Sequence, residues 1–321
     1  MALLLRADEV APLIDMSKAI ELTEAALAEQ GRKRVSTHPP YHLNVAGGAL
    51  RVVSGALLDS ERMGLRSGPG WGLTPPSGNR THLSLLYGTD GELLSVMGYP
   101  FSALRVGATT AVSVKHLARP DAKTVGLIGS GNLSLTILEG VLAVRKIRDI
   151  AVYSRDAERR SRFCASAAKA LGVSVRPVEK PQDAVTGMDI VLTATSSRQP
   201  IIAADWLKPG THVGSLGPVS ETDAEVFLKA DRIIVTSIDH EQNYFVRTPP
   251  FPLVELVDAK RLVWGDVAEL GDIIVGHRTG RTRPDDITVF HESQGGLGDV
   301  AFAAWADAEA RCRGLGREMA F

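Results

Sequence analysis

The run Val125-Gly126-Leu127-Ile128-Gly129-Ser130-Gly131-Asn132-Leu133-Ser134 has the residue types and spacing to hold a dinucleotide. An apolar stretch of strand character breaks into Gly-x-Gly-x-x-Ser, and a helical pattern follows. That strand, turn and helix context is what a pyrophosphate site needs. Gly129 can make the tight turn. Gly131 lacks a side chain, so a pyrophosphate can approach the backbone, and Ser130, Asn132 and Leu133 complete the turn. The helix beyond it offers free N–H groups and the positive end of its dipole. Ser134 stands where a third Gly or Ala is usual, and it is small enough for close packing of helix on strand. The alternative is a glycine-rich turn without a ligand.

Cofactor preference is decided on the next strand. An NAD site places an acid about 20 residues on, against the ribose 2′-hydroxyl. Here that region is Val152-Tyr153-Ser154-Arg155-Asp156, and no acid ends the strand. Ser154 can hydrogen-bond a 2′-phosphate, and Arg155 can pair with its charge or stack on the adenine. Arg159 and Arg160 add positive field one turn on, and Asp156 is expected to cap the helix that follows. NADP(H) is therefore the expected cofactor, with NAD(H) as the alternative.

These residues need elements to carry them. Val106–Leu117 predicts a helix. Strands are expected at Thr124–Ile128, Ile150–Tyr153, Val173–Val178, Asp189–Thr195, His212–Leu216 and Arg232–Thr236, alternating with helices such as Asp156–Leu171. Alternating βα units imply a doubly wound parallel sheet of Rossmann type. Thr195 and Gly217 join the candidate cofactor residues. Before this region, Ser17–Gln30 predicts a helix. Short runs such as Ala49–Val53 and Leu83–Tyr87, broken by Gly and Pro clusters, predict a mostly antiparallel sheet. A last helix is expected over Asp299–Arg313. The fold class is α/β, with a smaller α+β domain beside the Rossmann sheet.

Composition bounds the function classes. The chain has 321 residues, enough for about two domains. Its 36 Lys and Arg against 37 Asp and Glu leave a net charge of −1, with no basic field for nucleic acid or membrane surfaces. Cys164 and Cys312 are far apart and form no metal-ligand pattern, which fits a reducing cytoplasm; Cys164 falls on an apolar helix face. The apolar run near Met1 is too short for a signal sequence, so a cytoplasmic protein without a metal is expected.

Further motifs carry a resemblance. Phe101-Ser102-Ala103-Leu104-Arg105-Val106-Gly107-Ala108-Thr109 precedes Lys115-His116-Leu117-Ala118-Arg119-Pro120. Later come Trp206-Leu207-Lys208-Pro209-Gly210-Thr211-His212-Val213, Glu269-Leu270-Gly271-Asp272-Ile273-Ile274-Val275-Gly276-His277, Gly280-Arg281 and Ile287-Thr288-Val289-Phe290. Together they resemble the ornithine cyclodeaminase/mu-crystallin family, well from Leu104 onward and loosely before it. The resemblance implies a substrate-binding and dimerisation domain from residues 1–115 with 300–321, and an NAD(P)-binding Rossmann domain from 116–299. It also implies a homodimer acting on a small amino or imino acid, with chemistry at the α-carbon.

Arg105 matches the family's carboxylate-binding arginine at the start of a helix, where a guanidinium can hold an α-carboxylate with two hydrogen bonds. Arg66, in Gly64-Leu65-Arg66, replaces a family lysine associated with substrate binding and proton transfer. It can bind an anion but is a poor proton shuttle. His82 is a candidate proton donor to the nascent amine, against a plain structural role. Gly295 lies in a segment, His291 to Gly296, that borders the nicotinamide in relatives. Trp71 and Tyr87 are pocket walls or core. Two further departures are Tyr41, where relatives often carry Arg after Pro-Pro, and Val219, near the acid that engages the amine in cyclodeaminases. Glu221 or Asp223 can replace that acid only if the loop shifts. These departures favour an NADP(H)-dependent ketimine reductase or amino-acid dehydrogenase. The alternatives are an ornithine cyclodeaminase-type ammonia lyase with bound NAD, and a non-enzymatic crystallin-like binding protein.

Overall fold

The computed structural model describes residues 1–70, 73, 75–78, 80–217, 219–243, 251–293 and 295–320. By contacts the chain divides into two units, residues 1–105 with 243–246 and 294–321, and residues 106–242 with 247–293. The first unit carries β1 (Ala2–Leu5), α1 (Ala7–Val10), α2 (Met16–Gly31), β2 (Val35–Thr37), β3 (Tyr41–Val45) and β4 (Gly48–Leu57). It continues through β5 (Arg62–Pro69), β6 (Leu83–Gly88), β7 (Leu93–Met97) and the start of α3 (Ser102–Leu117). The second unit holds β8 (Thr124–Ile128), α4 (Ser134–Val144), β9 (Asp149–Tyr153), α5 (Ala157–Leu171), β10 (Ser174–Pro177), β11 (Ile190–Thr193) and β12 (His212–Ser215). After these come α6 (Ala224–Lys229), β13 (Arg232–Val235), α7 (Ile238–Asn243), α8 (Pro252–Asp258), β14 (Val267–Glu269), α9 (Leu270–Ile274) and β15 (Thr288–His291). The helix α10 (Leu297–Arg313) and β16 (Arg317–Met319) return to the first unit.

In the second unit the strands form one parallel sheet, in the order β10-β9-β8-β11-β12-β15-β13-β14. β8, β11, β12 and β15 are almost wholly buried, as strands covered on both faces must be, and their Val, Leu and Ile side chains supply the core. The chain steps from β8 to β9 on one side and then to β11 on the other. The carboxyl ends of β8 and β11 therefore flank the point where strand order reverses, which is where such sheets bind ligands. Asp156 caps α5 as expected, accepting from the Arg159 N–H at 2.9 Å, and Gly172 closes that helix in the left-handed region. Cys164 is buried beneath it.

The first unit is a mostly antiparallel sheet in the order β16-β1-β7-β6-β5-β4-β2, with β3 also paired to β4 and only β1 and β7 parallel. One face takes α10 in a trough lined by glycine. Gly55 and Gly64 are register partners on β4 and β5. A Cβ on Gly55 would lie 3.1 Å from Leu297 Cδ2, and one on Gly296 would lie 2.4 Å from the Ser54 carbonyl oxygen. The bare backbone lets the start of α10 settle onto the strands, where Val300, Phe302, Ala303 and Ala306 are buried.

Several bounds differ from the sequence reading. α3 begins at Ser102 rather than Val106, with the Arg105 N–H already bonded to the Phe101 carbonyl at 2.9 Å, so Arg105 lies in the first turn. α10 begins at Leu297 rather than Asp299, because packing overrides the poor helix propensity of the run Gly295-Gly296-Leu297-Gly298. β14 and β15 had no periodic signal, being only three and four residues long. Trp71 lies outside the described residues, and Tyr87 is half-buried on β6.

Candidate active site

In the second unit, the turn after β8 has the form the glycine spacing predicts. Gly129 sits at φ +123°, and a Cβ there would lie 2.4 Å from the Ala194 carbonyl oxygen, so no other residue fits without strain. Gly131 is different, because a Cβ there would meet nothing within 4 Å. The space over Gly131 is open to a ligand. The N–H groups of Ser130, Gly131, Asn132 and Leu133 have no backbone acceptor among the described residues. Four successive unspent donors at the head of α4 form a cradle for an anion. Ser134 Oγ donates to the Gly129 carbonyl at 3.2 Å and ties turn to helix.

β9 ends beside this turn. Ser130 Oγ donates to Ser154 Oγ at 2.9 Å, joining the two loops. Arg155 is exposed and has no ion pair among the described residues. Arg160, expected to add field, instead has a structural job. It is buried, donating to the Ser154 carbonyl at 2.6 Å and to Glu179 at 2.8 Å. Arg159 is exposed.

Thr195 and Gly217 follow β11 and β12, and one buried carboxyl group joins them. Glu221 accepts from Thr195 Oγ1 at 2.5 Å, from the Thr195 N–H at 3.2 Å and from the Gly217 N–H at 3.0 Å. Burial pushes this carboxyl up to about 7, with the hydrogen bonds from Thr195 and Gly217 pulling the other way. Asp223 caps α6 through the Glu225 N–H at 2.9 Å. Both acids that might have replaced a cyclodeaminase carboxylate are thus engaged elsewhere. Further along the same sheet edge, His291 Nδ1 lies 2.6 Å from Glu241 Oε1, which also accepts from Ser293 Oγ at 2.6 Å.

The first unit gathers Arg66, Arg105 and His82, which lie far apart in sequence. Arg66 points from β5 toward α10, and its Nε donates to Asp299 Oδ1 at 2.9 Å. Arg105 Nε lies 3.6 Å from Asp299 Oδ2. All three side chains are about 5% exposed. Asp299, in the first turn of α10, was not foreseen in the sequence. The available signal was that two buried guanidiniums require a carboxylate between them. Two guanidiniums converge on this one carboxylate.

His82, just before β6, lies against Gly68 on β5. A Cβ on Gly68 would fall 2.4 Å from the ring. Its Nδ1 is 3.0 Å from the Arg80 carbonyl, which can only accept, so Nδ1 carries the proton. Burial, and then the charge of Arg66, holds this imidazole below its ordinary pKa. With Nδ1 protonated, Nε2 is the nitrogen left to accept a proton. Tyr41 is 63% exposed on β3. Gly295 is half-buried just before α10; the observed close backbone approach is at Gly296. Among the described residues no helix is long and apolar enough to cross a membrane, and no group of His, Cys, Asp and Glu is placed to hold a metal.

Comparison with known proteins adds three findings. The model of the ornithine cyclodeaminase/mu-crystallin family matches residues 2–308. The Δ(1)-pyrroline-2-carboxylate reductase of Bacillus cereus is 26% identical, over 99% of this chain and 100% of that one. Among solved structures, the Thermococcus litoralis Δ(1)-pyrroline-2-carboxylate reductase in complex with NADH and L-proline superposes with a TM-score of 0.89 at 27% identity, covering 99% of this chain and 100% of that one. An archaeal alanine dehydrogenase dimer with bound NAD gives 0.89 at 26% identity, covering 100% and 99%.

Proposed function

Because the chain belongs to the ornithine cyclodeaminase/mu-crystallin family, we propose that it is a nicotinamide-dependent oxidoreductase acting at the α-carbon of an imino or amino acid, with NADP(H) preferred. The observation that supports the reading is the buried Arg66–Asp299–Arg105 group, which gathers two guanidiniums around one carboxylate. Guanidiniums hold carboxylates through paired, charge-assisted hydrogen bonds, which suits such a group to an α-carboxylate. The relatives that reduce pyrroline-2-carboxylate or oxidise alanine handle α-carboxylates.

Arg105 holds the substrate carboxylate, at the N-terminal end of α3 where the helix dipole adds to the attraction. Arg66 assists through its Nη groups while Nε stays on Asp299. His82, with Nε2 free to accept, takes the amine proton in the oxidative direction and returns it in the reductive one. The Ser130–Leu133 amides hold the pyrophosphate, and Thr195 and Gly217 border the rest of the dinucleotide. When bound, the nicotinamide supplies or accepts the hydride at the substrate α-carbon. Ser154 and the unpaired Arg155 support a 2′-phosphate, since no acid stands there to repel one. The first unit is assigned substrate binding and homodimer formation. The exposed apolar row Tyr41, Leu43 and Val45 on β3 supports the second of these. Two free cysteines fit a cytoplasmic setting.

The test is oxidation of NADPH and NADH with small cyclic ketimine carboxylates. Turnover that prefers NADPH is expected. Arg105→Ala should lose about 2–4 kcal/mol of transition-state binding, roughly 30- to 1000-fold in kcat/KM. Arg155→Ala should erase the preference. No oxidation of either cofactor with any such substrate would overturn the reading.

A further inference from the structure

Glu221 is a buried carboxyl group that bonds both Thr195 and Gly217, and the Thr193 hydroxyl on β11 also acts to hold its carboxyl down. Its carboxyl oxygens meet the Thr195 hydroxyl and two backbone N–H groups. The packing is close, because a Cβ on Gly217 would lie 2.5 Å from Glu221 Oε1 and 2.7 Å from the Thr195 carbonyl oxygen. The two loops are joined elsewhere as well. Ile201 N–H donates to the Glu221 carbonyl at 2.9 Å, and Ser220 Oγ donates to the Ser197 carbonyl at 3.3 Å. Charged residues on these loops are Arg198, which is exposed, and Asp223, which caps α6. Neither forms an ion pair with Glu221 among the described residues.

A hydroxyl has one proton to give. With Glu221 ionised, the Thr195 proton points into the carboxylate, and Thr195 Oγ1 separately accepts from the Ser197 N–H at 2.9 Å. With Glu221 protonated on Oε2, the carboxyl O–H becomes the donor in that same contact. The Thr195 proton is then released to a new acceptor. A proton on the buried acid thus changes what Thr195 offers at the carboxyl edge of the sheet, without moving any element.

We propose that Glu221 is a positioning residue for the nucleotide site, whose acid form frees the Thr195 hydroxyl to donate to a bound dinucleotide and whose carboxylate form withholds it. This rests on the reading that Thr195 and Gly217 border a nicotinamide dinucleotide. Binding is then linked to proton uptake, so affinity falls as pH rises through the titration of Glu221. The burial that raises this carboxyl to about 7 places the change near neutrality.

The experiment measures NADH binding to the full chain by fluorescence between pH 6 and 8.5. NADH is the probe because it lacks the 2′-phosphate, whose second ionisation near pH 6 would add its own pH dependence. Wild-type affinity should fall about 10-fold or more across the range. Glu221→Gln keeps the shape and donates to Thr195 at every pH, so its binding should be flat and near the wild-type value at pH 6. Thr195→Val should be flat and weak. As a measurement independent of variants, calorimetry of the wild type at pH 7.5 in two buffers of different ionisation enthalpy should show uptake of a fraction of a proton per NADH bound. A flat wild-type profile, absent proton uptake, or Glu221→Gln retaining the wild-type slope would overturn the proposal while leaving cofactor binding intact. Absence of NADH and NADPH binding at every pH would instead overturn the reading on which it rests.

Discussion

Replacing Asp299 by Asn removes the carboxylate that bridges two buried guanidiniums. At 2.9 Å and an effective dielectric near 20, the Arg66–Asp299 attraction is about 6 kcal/mol before desolvation is counted. Much of that is offset by the cost of burying the charges, so the intact pair contributes far less than this to stability. Deleting one partner is different, since the other charge stays buried without compensation, at a cost of about 3–5 kcal/mol. Asp299→Asn takes this carboxylate from Arg66 and from Arg105 together. Arg66→Met leaves Asp299 only 3.6 Å from Arg105 and preserves most of the aliphatic stem, so its cost should be about 1–3 kcal/mol. The order of the two variants is therefore the sharper prediction. Urea unfolding followed by far-UV circular dichroism gives both midpoints, and an unchanged slope shows that the shifts are changes in stability. The reasoning is refuted if Asp299→Asn loses less than about 1 kcal/mol, or if Arg66→Met proves the more damaging of the two.

Three further outcomes follow from other parts of the molecule. Gly129→Ala must place a Cβ 2.4 Å from the Ala194 carbonyl oxygen at φ +123°, so it should lose about 2 kcal/mol or more of stability and most nucleotide binding; thermal melts with and without NADPH check both. Asp189 accepts from the Lys123 and Thr124 N–H groups, and also from Lys208 and Arg119. Although burial works the other way, these partners hold its carboxyl down to about 2. Its folded pKa is below its unfolded value, so it contributes about 2 kcal/mol above pH 4 that is lost as pH falls from about 4 to 2. Asp189→Asn should flatten that part of the acid-unfolding curve. Finally, a thiol reagent should modify exposed Cys312 quickly and buried Cys164 only on unfolding, burial also raising the Cys164 thiol pKa; a count of two fast thiols would contradict the packing of α5.

The sequence by itself determined the parts governed by local rules. The Gly129-x-Gly131 turn, the strand before it, the Asp156 cap and the Gly172 stop follow from backbone geometry and nearest-neighbour hydrogen bonds, which a short window of residues encodes. The strands β8, β9, β11 and β13 were legible because each carries an apolar run that the sheet buries. β14 and β15 were not, since the short runs Val-Ala-Glu and Thr-Val-Phe-His mix polar with apolar residues and pairing with β13 makes them strands. Tertiary structure alone decided the partners of charge. Arg66 and Asp299 are separated by 233 positions and meet because glycines on β4 and β5 let α10 lie close to the sheet. Glu221, Thr195 and Gly217 come together only where two crossover connections end side by side. The sequence could nominate Arg66, Arg105 and His82 one at a time. Their shared electrostatic state, two guanidiniums on one carboxylate with the His82 pKa lowered beside them, depends on distance and burial, and those exist only once the chain has folded.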